Sequence, residues 1–396
     1  MKQYPPVSFA ALLVMVVGLP SCADQAHSRI AFASSPVEEP AAAPAAPPAA
    51  SLAMPRPKAD GRIVLVTIDG VRAEDVFDGA DPTLRPASDV GAFTTPESVM
   101  PRTRQLVKTR GVALGADRAG CGTVRTASGA NVSLPGYLEI FTGKKTRYRD
   151  NNCDRTKAPT VLDEAARAGL SPVASIGSWE ILDRAVSNGS SSVFVADGTL
   201  RWPGSRPIDD GVLEQLVATG ERADAFPGHG RYRPDANTSA IALEYFRSAA
   251  PAVFHVGFGD ADEYGHRNDY PAYLGAIRDA DTFIGRLADT LDGMGDIGAR
   301  TTVIVTTDHG RNRDFQHHGS FSLTSARTFV MAFGARVAVR GVACPSRDLT
   351  LADIAPTMRV LMGLPIDSSP EAGRPIEEIA GAAEPAAVAY IRVGRR

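Results

Sequence analysis

Aspartate and histidine residues that could bind a metal ion directly follow a hydrophobic run in the C-terminal half of the chain. Residues 301–307 are β-branched throughout, and Asp308 and His309 come immediately after them. His317 and His318 follow shortly afterwards, so this stretch holds three of the seven histidines. Carboxylate and imidazole groups are common ligands of divalent transition metals. The stretch is a candidate metal site, although taken alone it also fits a polar turn with solvated histidines.

Two further hydrophobic runs end in groups of the same kind. Residues 62–68 lead into Asp69, and residues 252–258 lead into an acidic segment that contains Asp262 and His266. Asp69 could simply cap the next helix. The spacing of Asp262 and His266, however, brings two ligands onto one side of a helical turn. Three separate runs with acidic or acid–histidine ends favour one shared site over three unrelated turns.

Ser133 offers a hydroxyl group at a predicted helix start, since Pro135 stands in the first turn. Serine is also a common N-cap and needs no functional explanation. The N-terminus of a helix nevertheless favours phosphate, because its dipole and its free amide groups attract anions. A metal ion beside the hydroxyl would make Ser133 a nucleophile.

The hydrophobic runs read as strands buried on both faces of a parallel sheet, which predicts an α/β fold. In open α/β sheets, ligands bind at the carboxyl ends of the strands. That edge would bring the acids, imidazoles and hydroxyl together. Between the motifs, helical and strand-like segments alternate, and residues 198–235 are rich in glycine, proline and charge, which indicates a loop or small cap near the substrate.

The order of these motifs resembles the alkaline phosphatase superfamily. The matching elements are strand–Asp69, Ser133-x-Pro135, Asp262-x-x-x-His266, Asp308-His309-Gly310 and His318-Gly319. Within the superfamily the chain is most similar to the nucleotide pyrophosphatase/type I phosphodiesterase branch, which Thr142-Gly143 and the segment 353–363 also fit. The resemblance covers residues 61–379. It implies a three-layer αβα sandwich with a mostly parallel central sheet.

The resemblance also implies a two-metal site, with zinc as the expected ion and manganese as an alternative. It assigns one ion to Asp262, His266 and His318 and the other to Asp69, Asp308 and His309. His318 is preferred over His317 because the ligand in the superfamily directly precedes glycine. Ser133 would attack phosphorus to give a phospho-serine that water then hydrolyses. Asn152, or its neighbour Asn151, falls where phosphodiesterases keep an asparagine that contacts phosphate.

Three departures bear on the expected reaction. The phosphodiesterase branch usually carries threonine where this chain has Ser133, although related phosphatases use serine. Sulfatases carry arginine at the position of Tyr137, and phosphoglycerate mutases insert a large domain that the segment between Ser133 and Asp262 is too short to hold. The expected function is hydrolysis of phosphate esters, with diesters slightly favoured over monoesters as the substrate. A sulfatase-like hydrolase and a catalytically silent envelope binding protein are the alternatives.

The N-terminus indicates export. Residues 1–22 have a positive start, a short apolar run and the sequence Leu-Pro-Ser-Cys, so they predict a lipoprotein signal peptide with lipidation at Cys22. Cleavage by ordinary signal peptidase is the alternative. Residues 23–60 are rich in proline and alanine and predict a disordered tether before a catalytic domain at 61–396. The expected location is the periplasm or the outer membrane, with membrane contact only through the lipid anchor.

Composition sets the remaining limits. With 396 residues, of which 44% are hydrophobic, the chain can bury a large core. A net charge of -3 gives no electrostatic reason to expect nucleic acid as a docking partner. The partner that the resemblance implies is a small phosphate ester. In an oxidising compartment a disulfide between Cys121 and Cys153 is plausible and would leave Cys344 free, with other pairings open. The sequence does not indicate an oligomeric state.

Overall fold

The computed structural model describes residues 60–84, 93–199 and 210–381. The predicted signal peptide, Cys22 and nearly all of the predicted tether lie outside these ranges, as does part of the predicted cap. Among the described residues, no helix is both long and apolar enough to cross a membrane.

The described residues form ten strands and fourteen α-helices. The strands are β1 (Arg62–Ile68), β2 (Gly111–Leu114), β3 (Val124–Arg125), β4 (Val173–Gly177), β5 (Phe194–Val195), β6 (Val253–Phe258), β7 (Thr301–Thr306), β8 (Val330–Gly334), β9 (Gly341–Val342) and β10 (Leu349–Thr350). The helices are α1 (Ala73–Asp78), α2 (Pro96–Val99), α3 (Pro101–Arg110), α4 (Ser133–Thr142), α5 (Val161–Arg167), α6 (Asp183–Val186), α7 (Gly211–Glu221), α8 (Asp235–Ala249), α9 (Asp260–His266), α10 (Tyr270–Asp292), α11 (Asp296–Ala299), α12 (Leu323–Ala326), α13 (Ile354–Met362) and α14 (Glu377–Ala380). Short 3-10 turns cover Glu180–Leu182 and Leu351–Asp353.

One large sheet carries the candidate site. Its strand order is β5-β4-β6-β1-β7-β8-β2-β9, and β3 pairs separately with β10. Strand β8 runs antiparallel to both of its neighbours, whereas the other pairs in the large sheet are parallel. The predicted mostly parallel sheet is confirmed. The three strands that precede the acidic motifs, β6, β1 and β7, are direct neighbours at its centre.

Helices cover both faces of this sheet, as the buried hydrophobic runs predicted. Val64 and Val66 of β1 belong to a core that also contains residues of α3, α8 and α10. Ile63 and Leu65 point to the opposite face and pack in a core with residues of α4, α5 and α13. A strand with two apolar faces needs a helical layer on each side. The result is the expected three-layer αβα arrangement.

The region predicted as a loop or cap contains a regular helix among its described residues. Helix α7 begins after Asp210, whose carboxylate accepts hydrogen bonds from the amides of Val212 and Leu213. This side-chain cap supplies acceptors for two of the amides that a helix start leaves free. Leu213 is buried in the core shared with α8. The segment is therefore partly anchored to the domain through this helix.

The predicted Cys121–Cys153 bridge is wrong. Cys121 is joined to Cys344, and Cys153 is buried and free. The pairing of β3 with β10 brings these distant segments together, and the Gly122 amide donates to the Pro345 carbonyl at 3.1 Å. A bridge that depends on this strand pairing could not be chosen from cysteine spacing alone.

We expect a non-reduced digest of the protein to contain one peptide pair linked through Cys121 and Cys344. Cys153 should react with iodoacetamide only after denaturation, because its side chain is 5% exposed. Mass spectrometry of the protein alkylated before and after denaturation measures both. A linked pair containing Cys153 would contradict the observed arrangement.

Candidate metal centre and active site

The acids and histidines that follow β1, β6 and β7 meet at one edge of the sheet. Each member of Asp69, Asp308 and His309 offers one ligand atom that lies within 4.8 Å of the others. Asp262, His309 and His318 form a second such group. His309 belongs to both, so the two groups are adjacent. Parallel neighbouring strands end at the same edge, which explains why residues distant in sequence converge here.

His309 lies at the centre of the cluster with one ring nitrogen facing the acids. Its Nε2 atom is 3.3 Å from Asp308 Oδ2, 3.5 Å from Asp69 Oδ1 and 3.2 Å from Ser133 Oγ. Its Nδ1 atom is 2.9 Å from the Gly310 carbonyl, so the ring donates there and keeps a lone pair on Nε2. Burial holds the pKa of His309 well below its usual value, and the ring is therefore neutral.

His318 belongs to the second group, and His266 contacts two of its members. His318 Nδ1 donates to the Asn131 carbonyl at 2.9 Å, which turns Nε2 towards the cluster. His266 Nε2 lies 3.1 Å from His318 Nε2 and 3.0 Å from Asp262 Oδ2. The hydrogen bond that His266 donates to the Asp262 carboxylate raises the pKa of His266. His266 is therefore in contact with both other members of its predicted set, but at the more exposed rim.

Arg311 is a residue of the centre that the sequence patterns did not single out, although it follows the Asp308-His309-Gly310 motif directly. Its buried guanidinium donates to Asp262 Oδ1 and to the Gln316 carbonyl. Burial acts to raise the pKa of Asp262, but the charge of Arg311 outweighs it and holds that pKa well below the usual range. Asp262 thus stays ionised, with Oδ2 facing His266.

Asp308 has one carboxylate oxygen without a partner. Oδ1 accepts from the Gly70 amide at 3.0 Å, whereas the buried Oδ2 has no hydrogen-bond donor. Burial raises the pKa of Asp308 to about 7. Burial and the neighbouring carboxylates of Asp308 and Asp262 raise the pKa of Asp69 well above its usual value. Unpaired buried carboxylate oxygens are costly. A divalent cation between these oxygens and the imidazole nitrogens would satisfy them.

Two glycines allow the close approach of the segments that build this centre. Gly70 has a φ of +66°, and a Cβ there would lie 2.2 Å from Asp262 Oδ1. A Cβ at Gly136 in α4 would lie 2.4 Å from the Asp308 carbonyl oxygen. Only a residue without a side chain lets the first turn of α4 lie this close to the end of β7.

Ser133 is the first residue of α4, as predicted from Pro135. Its Oγ atom lies 3.2 Å from His309 Nε2 and 3.4 Å from Asp69 Oδ1, so the hydroxyl faces the cluster. One turn further along, the Tyr137 hydroxyl donates to Asp69 Oδ2 at 3.2 Å. Tyr137 therefore fixes the orientation of Asp69. Its position two residues after the Ser133-x-Pro135 motif did not reveal this role.

The structure corrects the register of the predicted asparagine. Asn151, not Asn152, lines the cleft, and its Oδ1 accepts from the Leu134 amide at 2.9 Å. Asn152 is exposed, and its amide donates to Asp150. The two neighbours lie in a turn, where adjacent side chains point in different directions.

A cleft of about 340 Å³ opens onto the cluster. Its walls include residues for which the sequence predicted no role, namely Trp179, His229, Tyr232, Gly259 and Glu263. Lysine and arginine are absent from the described residues that line it. His317 is exposed and hydrogen bonds to Asp314 instead, in keeping with the choice of His318.

Sequence comparison relates part of the chain to known enzymes. Residues 221–366 match the sequence model of the Metalloenzyme superfamily. The 2,3-bisphosphoglycerate-independent phosphoglycerate mutase of Pseudomonas paraeruginosa is 30% identical over 117 residues, which are 28% of this chain and 21% of the mutase. The mutase of Haloarcula marismortui is 30% identical over 132 residues, 31% of this chain and 23% of that protein. The chain thus spans less than a quarter of these relatives.

Solved structures share the fold over most of the chain. The phosphonate monoester hydrolase of Agrobacterium radiobacter has a TM-score of 0.53 at 16% identity, and the alignment covers 82% of this chain and 78% of the hydrolase chain. A putative sulfatase of Bacteroides thetaiotaomicron has a TM-score of 0.54 at 12% identity, with 82% and 75% covered. A 2-O GAG sulfatase has a TM-score of 0.53 at 12% identity, with 81% and 74% covered. At these identities the likeness concerns the fold alone.

Proposed function

We propose that this chain is a metal-dependent hydrolase of phosphate esters in the alkaline phosphatase superfamily, and the Metalloenzyme superfamily match over residues 221–366 supports this proposal. The observation that carries the proposal is the convergence of Ser133 Oγ, His309 Nε2 and the carboxylate of Asp69 within 3.5 Å. A serine hydroxyl among metal ligands at a helix start suits attack on phosphorus.

The residues present fit two divalent cations. Asp69, Asp308 and His309 would hold one, and Asp262, His266 and His318 would hold the other. The unpaired Oδ2 of Asp308 and the lone pairs on Nε2 of His309 and His318 could serve as ligand atoms. Mixed carboxylate and imidazole ligands fit zinc, and manganese is the second choice.

Ser133 is the proposed nucleophile. Its oxygen forms the new bond to phosphorus while the bond to the leaving alcohol breaks, which gives a phospho-serine that water later hydrolyses. Bound divalent cations supply charge neutralisation for the attacking and leaving oxygens. Because the Asn151 Oδ1 atom accepts from Leu134, its amide NH₂ is the end left to donate to a phosphate oxygen. The positive end of the α4 dipole favours the same anion.

A phosphodiester is the preferred substrate class. A diester carries one negative charge, whereas a monoester carries close to two at neutral pH. The described cleft walls offer no lysine or arginine to balance the additional charge, and they include Glu263. With cations bound at the two ligand sets, the Asn151 amide would supply the further contact that a singly charged diester needs.

The mutase and sulfatase alternatives lack support in this site. Strands β4 and β5, together with α5 to α8, lie between Ser133 and Asp262, and both strands belong to the central sheet. The described part of that segment therefore contains no separate inserted domain. Tyr137 stands where sulfatases carry arginine, and it hydrogen bonds to Asp69.

The test compares bis-p-nitrophenyl phosphate, p-nitrophenyl phosphate and p-nitrophenyl sulfate on the full chain after dialysis and reloading with zinc or manganese. We expect kcat/KM to be highest for the diester, by about tenfold or more, since charge balance in the cleft decides the order. Preference for the sulfate ester would refute the proposal. Absence of turnover on all three, with metal bound, would favour a binding protein.

Export and lipidation at Cys22 belong to the same proposal. The signal-like segment 1–22 and the Cys121–Cys344 disulfide support an oxidising compartment. A lipidated Cys22 would leave the tether, residues 23–60, to separate the domain from a membrane. The disulfide map described above tests the compartment, and the mass of the mature N-terminal peptide tests the lipid.

A further inference from the structure

A row of buried polar side chains crosses the sheet from Asp69 to a carboxyl group that the proposed reaction does not use. From the metal centre outwards its members are Tyr137, Thr67, His255, Ser175 and Asp197. Tyr137 lies in α4, and the other four lie on or next to β1, β6, β4 and β5, which are consecutive in the sheet. The strand order therefore places the five side chains side by side beneath the candidate site.

Hydrogen bonds connect the members of this row. Thr67 Oγ1 is 3.0 Å from His255 Nε2, and His255 Nδ1 is 2.8 Å from Ser175 Oγ. Ser175 Oγ is 3.0 Å from Asp197 Oδ1. At the other end, the Tyr137 phenol donates to Asp69 and has the Thr67 hydroxyl as a second hydrogen-bonding neighbour.

Complete burial removes these groups from water, so they depend on one another and, for Asp197, on the Gly177 amide. Thr67, Ser175, His255 and Asp197 are fully buried and Tyr137 is 1% exposed. Burial lowers the pKa of His255 to about 3, so its ring is neutral and carries a single N–H. A neutral imidazole donates through one nitrogen and accepts through the other. The hydrogen bonds of the row must therefore all point in one direction or the other.

Asp197 decides which direction fits. Its Oδ2 atom has no hydrogen-bond partner, and burial raises its pKa to about 7. The charged groups near it are Asp183 and Arg233, and the Arg233 guanidinium donates to the carbonyls of Gly177, Ala196 and Gly198 rather than to Asp197. A carboxyl group in this setting can keep its proton near neutral pH.

A protonated Asp197 gives every member of the row a partner. Its O–H donates to Ser175, Ser175 donates to His255 Nδ1, and His255 Nε2–H donates to Thr67. Thr67 then donates to the Tyr137 oxygen, and Tyr137 donates to Asp69 Oδ2. If the hydrogen bonds point the other way, the Thr67 hydroxyl donates to His255. The single O–H of Tyr137 then faces two acceptors, Thr67 and Asp69, and one of them is left without a donor.

We propose that Asp197, Ser175 and His255 are positioning residues for the metal ligand Asp69, acting through Thr67 and Tyr137. The row holds Oδ2 of Asp69 with a donated hydrogen bond and leaves Oδ1 facing His309 and Ser133. Hydrogen bonds to metal-ligating carboxylates orient them, and their loss typically weakens metal binding by about 10- to 100-fold. The inference rests on the proposed metal-dependent function.

The experiment measures zinc affinity of the full chain by competition with a chromophoric chelator. We expect Ser175→Ala and Asp197→Ala to weaken zinc binding about tenfold or more. Asp197→Asn should stay within about threefold of wild type, because its amide N–H replaces the carboxyl O–H as donor. The matched control is Asp281→Asn, since Asp281 is a buried acid that accepts from the Arg102 and Thr103 amides, away from the row.

The pH dependence tests the direction of the hydrogen bonds and remains decisive if the alanine variants do not fold. Ionisation of Asp197 in the wild type removes its O–H and reverses the direction of the hydrogen bonds in the row. The ratio of the zinc dissociation constant of wild type to that of Asp197→Asn should therefore rise from about pH 6 to about pH 8.5. A constant ratio, or Ser175→Ala binding zinc like Asp281→Asn, would overturn the inference. If wild type itself bound no metal, the proposed function would fail instead.

Discussion

Replacing Ser133 by alanine abolishes ester hydrolysis and leaves the metal content unchanged; this is the result we expect from the geometry of the centre. The Ser133 Oγ atom faces His309 and Asp69, and each ligand group has three carboxylate or imidazole members without it. Its loss removes the nucleophile and keeps the ligands, so kcat should fall at least about a thousandfold. Steady-state rates on bis-p-nitrophenyl phosphate and elemental analysis of the same sample measure the two effects.

Ser320→Ala is a suitable control for this experiment. Ser320 lies two residues after His318, is exposed, and makes one long contact of 3.4 Å to the Ala130 carbonyl. Its replacement should leave the rate unchanged. Quenching the wild-type reaction in acid should also yield a phosphorylated peptide that contains Ser133. Wild-type-like turnover in Ser133→Ala would exclude the covalent route, whereas loss of metal in that variant would make Ser133 a ligand.

The features that were predictable from sequence are those that local patterns determine. The β-branched runs before Asp69 and Asp308 specify buried parallel strands, and such strands end at a common edge. Pro135 marks the start of α4 and so fixes the position of Ser133. The convergence of Asp69, Asp262 and Asp308 follows from strand order, because β6, β1 and β7 are neighbours.

The features that the sequence did not reveal depend on contacts between distant segments. Cys121 pairs with Cys344 because β3 meets β10, which no spacing rule encodes. Asn151 rather than Asn152 faces the cleft because of the turn in which both lie. Arg311 reaches back from its loop to Asp262, and only the folded chain shows that this guanidinium keeps the carboxylate ionised.

Removing the metal ions should eliminate activity and also destabilise the protein, most strongly at alkaline pH. Asp69, Asp262 and Asp308 are buried close together, and burial raises the pKa values of Asp69 and Asp308. Without a cation, ionising these groups concentrates negative charge in a poorly solvated site. Zinc or manganese should restore both activity and stability after chelation. Activity that survives exhaustive chelation would refute the two-metal mechanism.

The sign of the pH effect follows from proton binding. In the metal-free fold, burial raises the pKa of Asp308 to about 7, above its ordinary value of 3.8. Between these values the folded state holds more protons than the unfolded chain, so the free energy of unfolding falls as pH rises. Metal binding requires the ionised carboxylate and reverses this dependence. The difference in Tm between metal-loaded and metal-free protein should therefore widen from about pH 5.5 to about pH 8.

Asp308→Asn separates the metal effect from general damage to the fold. The amide keeps the oxygen that accepts from Gly70 and replaces the unpaired Oδ2 by an NH₂ group, 3.3 Å from His309 Nε2, to which it can donate. We expect this variant to bind less metal and to lose activity, yet to have a higher Tm than metal-free wild type at about pH 8. A buried charge that only a cation can balance is a cost once the cation is gone. A lower Tm than metal-free wild type, measured by calorimetry at that pH, would mean that the Asp308 carboxylate stabilises the fold without any cation.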